Sequence, residues 1–396
     1  MTDKYPRIFL KPGRDASLLR GHPWVFSGAV AAAEGELQPG DVVVAVTHER
    51  KPLALGFYNP TSDIAFRLLT ADTTAAVDYT FWQKRVREAM SLREKVLPEG
   101  TTAYRLINAE GDWMPGLIVD RYADYLALSI ETAGIEKHRD AVVKILSEEM
   151  QPKGIYERSE GRARQLESLD EHTGIVYGEC PPPAIEIAED HLRFEVDIIT
   201  GQKTGFFLDQ RTNRKIVERL SNQANVLNCF SYTGAFSVYC ARGGARRVVS
   251  VESSDAANEI ARGNLQRNGF SSEQHPVVRA DVFKYLRETN ELFDLIILDP
   301  PAFARAKKDV TKASRGYKDI NLQAARALRD GGILATFSCS NYIGEALFQK
   351  IVLGAVRDAG KSARLLQAMS PGPDHPTNLG HPEGQYLTGL LLDVTA

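Results

Sequence analysis

Apolar and polar residues change their spacing twice along this chain. Up to about residue 75 they alternate in short runs, GHPWVFSGAV, PGDVVVAVTHERKPLALGFYNP and DIAFRLLT, broken by Gly, Pro and Asn. Alternation between turn residues marks half-buried strands, so this stretch predicts a small, mostly β barrel. From Asp78 the spacing turns helical: in DYTFWQKRVREAMSLREKVL, Phe81, Val86, Met90 and Leu97 recur near one face. The strands TAYRLINAEGD and MPGLIVDRYADYLALSIET follow, then a helix over about 136–150 and the strand GIYERS, an α+β segment. The proline-rich ECPPPAIEI reads as a linker.

Beyond about residue 190, strand-like runs alternate with helical patterns such as 209–222 and 253–268. The runs are HLRFEVDI, NVLNCF, RRVVSVE, HPVVRAD, FDLIILD, GGILATFSCS and QYLTGLLLDV. That alternation predicts an open, mainly parallel sheet of about seven strands with a late antiparallel return. The fold class is therefore α/β: a doubly wound C-terminal domain over 189–396, after a β-barrel over 1–75 and an α+β domain over 76–188. A length of 396 residues suits two or three domains of roughly 150 residues each. Nothing in 76–188 has a catalytic spacing, and that domain is expected to act as a spacer.

Composition narrows the partners. A net charge of −3 excludes a protein that is basic overall, but charge is uneven. Residues 1–30 carry Lys4, Arg7, Lys11, Arg14 and Arg20 against Asp3 and Asp15, and residues 301–330 carry eight Lys or Arg against three Asp. Two basic zones in a slightly acidic protein suit a polyanion held at chosen surfaces, although ordinary solvated charge has the same look. Basic residues beside the His22-Pro23-Trp24 turn mix the groups needed for phosphate contact and base stacking, which makes Arg14, Arg20 and Trp24 candidates for nucleic acid. Trp24 and Phe26 read equally well as barrel core. No apolar run has membrane length and no leader pattern is visible, so the cytoplasm is expected. Four cysteines without paired spacing predict neither a disulfide framework nor a metal site.

The stretch Val226–Glu252, VLNCFSYTGAFSVYCARGGARRVVSVE, shows strand, turn, helix and strand, closed by a carboxylate. In doubly wound sheets, ligands sit beyond the carboxyl ends of strands. Its turn, FSYTGAF, has one glycine, whereas a dinucleotide pyrophosphate calls for a glycine-rich approach, and no phosphate-binding Lys follows. An adenosine with an amino-acid tail and no phosphate tolerates such a turn; S-adenosylmethionine is one. Glu252 would hold the ribose and Asp281, ending HPVVRAD, the adenine amino group. Asn228, Phe230, Tyr232 and Gly234 in and around the turn, and Asp299 across the rim, complete the cofactor candidates. Each acidic residue alone could equally cap a helix.

FDLIILDPPAF ends a buried strand on Asp299, with Pro300 and Pro301 fixing the backbone just beyond. GGILATFSCSN puts Cys339 at the end of the next strand on the same rim. Cysteine is most often a small buried hydrophobe, and Cys180, Cys229 and Cys240 are read so. A thiolate at Cys339 could instead attack C6 of a pyrimidine, making C5 nucleophilic toward a sulfonium methyl group; a base then takes the C5 proton and the thiolate leaves. The target base must be unstacked or single-stranded.

Several motifs in fixed order carry a resemblance over nearly the whole length. They are SLLRGHPWVFSGAV, KTGFFLDQR, VLNCFSYTGAFS, VVSVE, DPPAF, RGYKDIN, TFSCS, DHP and PEGQYL. The chain resembles the bacterial ribosomal RNA large subunit methyltransferase I family, which makes 5-methylcytosine in 23S rRNA with S-adenosylmethionine. The resemblance implies a PUA-type RNA-binding barrel, a central α+β domain and a class I, Rossmann-like methyltransferase domain. It also implies Cys339 as nucleophile, Asp299 in binding and activating cytosine, a cofactor site at Gln210, Phe230, Gly234, Glu252 and Asp281, and frequent homodimers. DPPAF has Ala302 where many relatives carry Lys, and Asn341 replaces a Gly. The basic loop from Arg305 to Lys318, with Arg305 and Lys307 beside Pro300 and Pro301, is expected to supply substrate phosphate contacts. Two other readings stay open: methyl transfer to a guanine nitrogen, with Cys339 as packing, and an RNA-binding protein without catalysis.

Overall fold

The computed structural model describes residues 4–304 and 306–396. The chain divides into two units, and it passes between them repeatedly. One comprises 1–187, 196–208 and 373–384, the other 188–195, 209–372 and 385–396.

The first unit holds two sheets. The alternating N-terminal runs form a six-stranded sheet in the order Trp24–Phe26, Ile64–Thr70, Pro52–Tyr58, Asp41–Val46, Arg7–Leu10, Val30–Ala33. Its core is Ile8, Leu10, Val25, Val43, Ala45 and Phe66. Phe26 lies outside that core, 51% exposed, because the inward position of its short strand belongs to Val25.

Helix Tyr79–Val96 starts where Asp78 accepts from the backbone N–H of Phe81. Its buried stripe is Trp82, Val86, Ala89 and Arg93, so the expected stripe of Phe81, Val86, Met90 and Leu97 holds only at Val86. The reason is an arginine used as a core residue. The Arg93 guanidinium pairs with Asp112 at 2.5 and 2.8 Å and donates to the carbonyls of Arg105 and Asp374. A buried charge is tolerated when every donor finds an acceptor. The 373–384 segment completes this unit: Arg105 N donates to Asp374, and Asn108 Nδ2 to Pro376 O. Gly111 must be glycine here, since a Cβ would stand 1.9 Å from Pro376 O.

The second sheet runs His172–Gly178, Gly154–Ser159, Tyr125–Ile130, Leu117–Tyr122, Ala103–Asn108. His172–Gly178 is not legible as a strand; most of its residues are exposed at the sheet's edge, none is buried, and they show no apolar alternation. The segment read as a linker also contains a strand, Ile185–Glu189, paired with Leu192–Val196 in a two-stranded sheet.

The second unit is the expected doubly wound domain. Its seven strands run Val277–Arg279, Arg247–Glu252, Asn225–Cys229, Phe293–Leu298, Leu328–Ser338, Thr388–Thr395, Ser362–Met369. The first five are parallel, and Thr388–Thr395 is antiparallel to both neighbours. The count agrees with expectation, but one member differs. HLRFEVDI lies in the separate hairpin, and SARLLQAM fills the outer edge. An edge strand need not alternate, and this one leaves Leu365 and Leu366 about half exposed. Chain order reverses between Asn225–Cys229 and Phe293–Leu298, which opens a crevice at the carboxyl ends of those two strands.

Candidate functional site

Every residue of Asn225–Cys229 is buried, so the strand can deliver its turn only at the sheet's carboxyl edge. There the backbone coils tightly: Phe230, Tyr232 and Gly234 have φ of 58°, 45° and 78°. Two non-glycine residues in the left-handed region, one on each side of Ser231, indicate a turn held by its surroundings rather than by preference. At Gly234 the approach is close, and a Cβ would meet Ala261 Cβ at 3.0 Å. Asn228 ties the turn from below, donating to Ser237 Oγ at 2.9 Å, which in turn lies 2.7 Å from Ser250 Oγ.

Glu252 closes the neighbouring strand. Its carboxylate accepts from the backbone N–H groups of Tyr232 (3.2 Å), Ser253 (2.7 Å) and Ser254 (3.0 Å). Asp281 is exposed and accepts from Lys284 N, so it caps helix Val282–Glu288. Below and within the turn, Asn228 Oδ1, Ser231 Oγ and Thr233 Oγ1 are buried without hydrogen-bond partners among the described residues. Buried polar atoms without partners are rare and call for an occupant. A nucleoside with an amino-acid tail brings the hydroxyl, amino and carboxylate groups to satisfy such a cradle, so these residues fit S-adenosylmethionine.

The chemical half of the rim stands on the next two strands. Phe293–Leu298 delivers half-buried Asp299, followed by buried Pro300 and exposed Pro301. Leu328–Ser338 delivers half-buried Cys339, whose thiol donates to Pro300 O at 3.6 Å. Gln210 is brought to the same place: its Nε2 donates to Asp299 Oδ1 at 3.0 Å. The other thiols differ from Cys339. Cys229 and Cys240 are fully buried, and burial pushes both thiols up, Cys240 to about 12. Cys180, expected inside, is exposed, because it stands in the loop before Ile185–Glu189 rather than on a strand.

Sequence reasoning missed an aromatic row behind this rim. Phe230 meets Phe283 and Phe303 edge-on at 6.3 and 6.5 Å, Phe303 packs on Tyr317 at 4.6 Å, and Tyr317 on Phe348 at 5.6 Å. Burial raises Tyr317 to about 12, with the Cys339 and Asp299 charges adding to the rise. Its hydroxyl lacks a well-formed hydrogen bond among the described residues. The only signal was the motif RGYKDIN, read without a role.

The remaining candidates divide. Arg305 lies outside the described residues. Lys307 is exposed in the short 3-10 turn Lys307–Asp309, and the segment expected as a basic loop continues as helix Val310–Ala327. Its Ala313, Tyr317, Ile320 and Ala324 supply the helical spacing that the basic residues obscured. Arg14, Arg20 and Trp24 belong to the first unit. Both arginines are exposed, while Trp24 is held at half burial: Nε1 donates to Glu110 at 2.8 Å and the Arg67 guanidinium lies 5.3 Å over the ring. Among the described residues no group of His, Cys, Asp or Glu could hold a metal, and no helix is long and apolar enough to cross a membrane.

Comparison with known proteins adds a consistent set of relatives. Residues 8–71 match a PUA-like domain, and residues 153–377 match the S-adenosylmethionine-dependent methyltransferase family. The chain is 43% identical over 389 residues to Ribosomal RNA large subunit methyltransferase I of Aeromonas salmonicida, covering 97% of this chain and 98% of that one. It is 42% identical over 399 residues to the protein of the same name from Klebsiella pneumoniae, with both chains covered in full. Among solved structures, SMU.776, crystallised in complex with SAH, shares the fold at a TM-score of 0.84 and 24% identity, covering 98% of this chain and 99% of that one.

Proposed function

Because the chain belongs to the ribosomal RNA large subunit methyltransferase I family, we propose that it methylates C5 of a cytosine in 23S rRNA through a covalent bond from Cys339 to C6. The observation that carries this reading is the meeting of Cys339 and Asp299-Pro300 at adjacent strand exits, with Sγ 3.6 Å from Pro300 O. Among the described residues, this is the cysteine that combines partial exposure with a strand exit on that rim.

Each residue then has a task. Asp299 accepts from the cytosine exocyclic amine and holds the ring against the thiolate. The Cys339 sulfur forms a bond to C6, and the C5–C6 π pair moves onto C5. When bound, S-adenosylmethionine supplies the methyl group as an electrophile to that carbon. A base takes the C5 proton, the pair returns to the ring, and the S–C6 bond breaks to restore the thiolate. Glu252 holds the ribose, Gly234 and its turn the amino-acid end, and Asp281 the adenine. Gln210, Asn228, Phe230 and Tyr232 complete the cofactor side.

Exposed Arg14 and Arg20, with Trp24, suit RNA contact in the PUA-like domain, and Lys307, Pro300 and Pro301 take the substrate side of the methyltransferase unit. The same reading takes the protein as a cytoplasmic homodimer with domains over 1–75, 76–188 and 189–396. The test is Cys339→Ala with tritiated cofactor and protein-free 23S rRNA. Methyl transfer is expected to fall by at least about 10⁴-fold while cofactor affinity stays within about twofold. Near-normal turnover would sink the nucleophile and favour transfer to a guanine nitrogen; absence of incorporation by the parent protein would favour RNA binding without catalysis.

A further inference from the structure

The Asp299 carboxylate is approached from within its unit by two side-chain amides in series, and their direction is set at the far end. Ser370 presents a backbone carbonyl, which can accept but not donate. Asn213 Nδ2 donates to it at 3.1 Å, and that fixes which end of the Asn213 amide points there. The same nitrogen donates to Gln210 Oε1 at 2.6 Å. With Oε1 committed, the NH₂ end of Gln210 is what remains to face Asp299, and Nε2 donates to Oδ1 at 3.0 Å. A carbonyl at one end and a carboxylate at the other force both amides to run in one sense.

Bulk solvent does not reach either amide side chain, since Asn213 and Gln210 are each 1% exposed. Gln210 also stands at the N-cap of helix Arg211–Arg219 without making a capping bond. Gln is not among the residues whose side chains favour capping, and this one is directed to Asp299 instead.

We propose that Asn213 is a positioning residue: by fixing the sense of the Gln210 amide it keeps Asp299 an ionised acceptor aimed at the substrate base. The inference rests on the reading of Asp299 as the group that binds and activates cytosine. Among the described residues, the Tyr317 hydroxyl from helix Val310–Ala327 feels the charges of both Asp299 and Cys339.

Asn213→Asp keeps the shape and reverses the chemistry. The new carboxylate draws the Gln210 NH₂ toward itself and turns Oε1 onto Asp299. With 23S rRNA and the full-length protein, kcat at pH 7 is expected to fall about 10- to 100-fold, the effect of one charge-assisted hydrogen bond. The acid limb of the pH–rate profile should move up by about one unit, so that the loss deepens below that limb and is smallest above it. Asn213→Ala removes the director without inverting it, and a loss of about 3- to 10-fold with an unmoved acid limb is expected.

An unmoved limb in Asn213→Asp, with turnover and melting temperature falling together, overturns the proposal. If Asn213→Asp does not fold, Asn213→Ser, which keeps one donor, decides: turnover above that of Asn213→Ala at equal melting temperature supports positioning, and turnover that follows melting temperature alone refutes it. Asp299→Asn separates the two levels. Full turnover in that variant removes the reading of Asp299 itself, whatever Asn213 does.

Discussion

Glu189 and Glu252 are each the last residue of a strand and belong to the same unit, yet their surroundings have little in common. Glu189 is fully buried and receives Arg211 Nε at 3.2 Å, Arg214 Nε and Nη2 at 2.8 and 2.7 Å, and the Tyr239 hydroxyl at 3.0 Å. Burial and the neighbouring carboxylate hold Tyr239 well above the usual phenol range, so it stays a donor. Glu252 is half-buried, and its described partners are backbone N–H groups and the Ser253 hydroxyl. Guanidinium groups neutralise and cover a carboxylate. Backbone donors only aim it, and leave its charge for a ligand. The first arrangement builds the domain; the second presents a group to something else.

That contrast can be broken at either side. Glu189→Gln leaves two buried guanidinium groups short of an anion, and a loss of about 3–5 kcal/mol in chemical denaturation is expected. A loss below about 1 kcal/mol would mean that the arginines find other partners and that the pair is not what holds the hairpin. Glu252→Ala should do the reverse: S-adenosylmethionine affinity drops about 10- to 100-fold by calorimetry, while stability changes by no more than about 1 kcal/mol. Equal damage to binding and stability would place Glu252 with Glu189. The smallest effect belongs to Tyr317→Phe. Removing a buried hydroxyl without a well-formed partner while keeping the ring stack should leave stability within about 1 kcal/mol of the parent, on the stabilising side, by thermal unfolding. A clear destabilisation would show that the hydroxyl carries a structural bond.

Legibility followed the same division. Glu252, Asp299 and Cys339 were visible because each stands where a buried apolar run stops, and strand ends are the most readable points of a doubly wound sheet. Gln210 entered only through the motif KTGFFLDQR, and its bond to Asp299 spans 89 residues that no periodicity connects. Asn213 gave no signal at all, since a polar residue early in a helix reads as solvent-facing. Likewise, the helix stripe was misplaced at Arg93, because composition cannot announce that a guanidinium will be buried against Asp112. The edge strand Ser362–Met369 escaped for want of a second neighbour to impose alternation.

The return of residues 373–384 to the first unit has a consequence in time. During synthesis the other pieces of that unit have all been made by Leu208, but Asp374 and Pro376, which satisfy Arg93, Arg105 and Asn108, come roughly 165 residues later. At roughly 5–20 residues per second, the nascent N-terminal half waits on the order of ten to thirty seconds with an arginine network lacking its last acceptors. Of the two units, the one begun first is therefore completed only after most of the other has been made, and a chain cut short anywhere before residue 373 leaves both units incomplete.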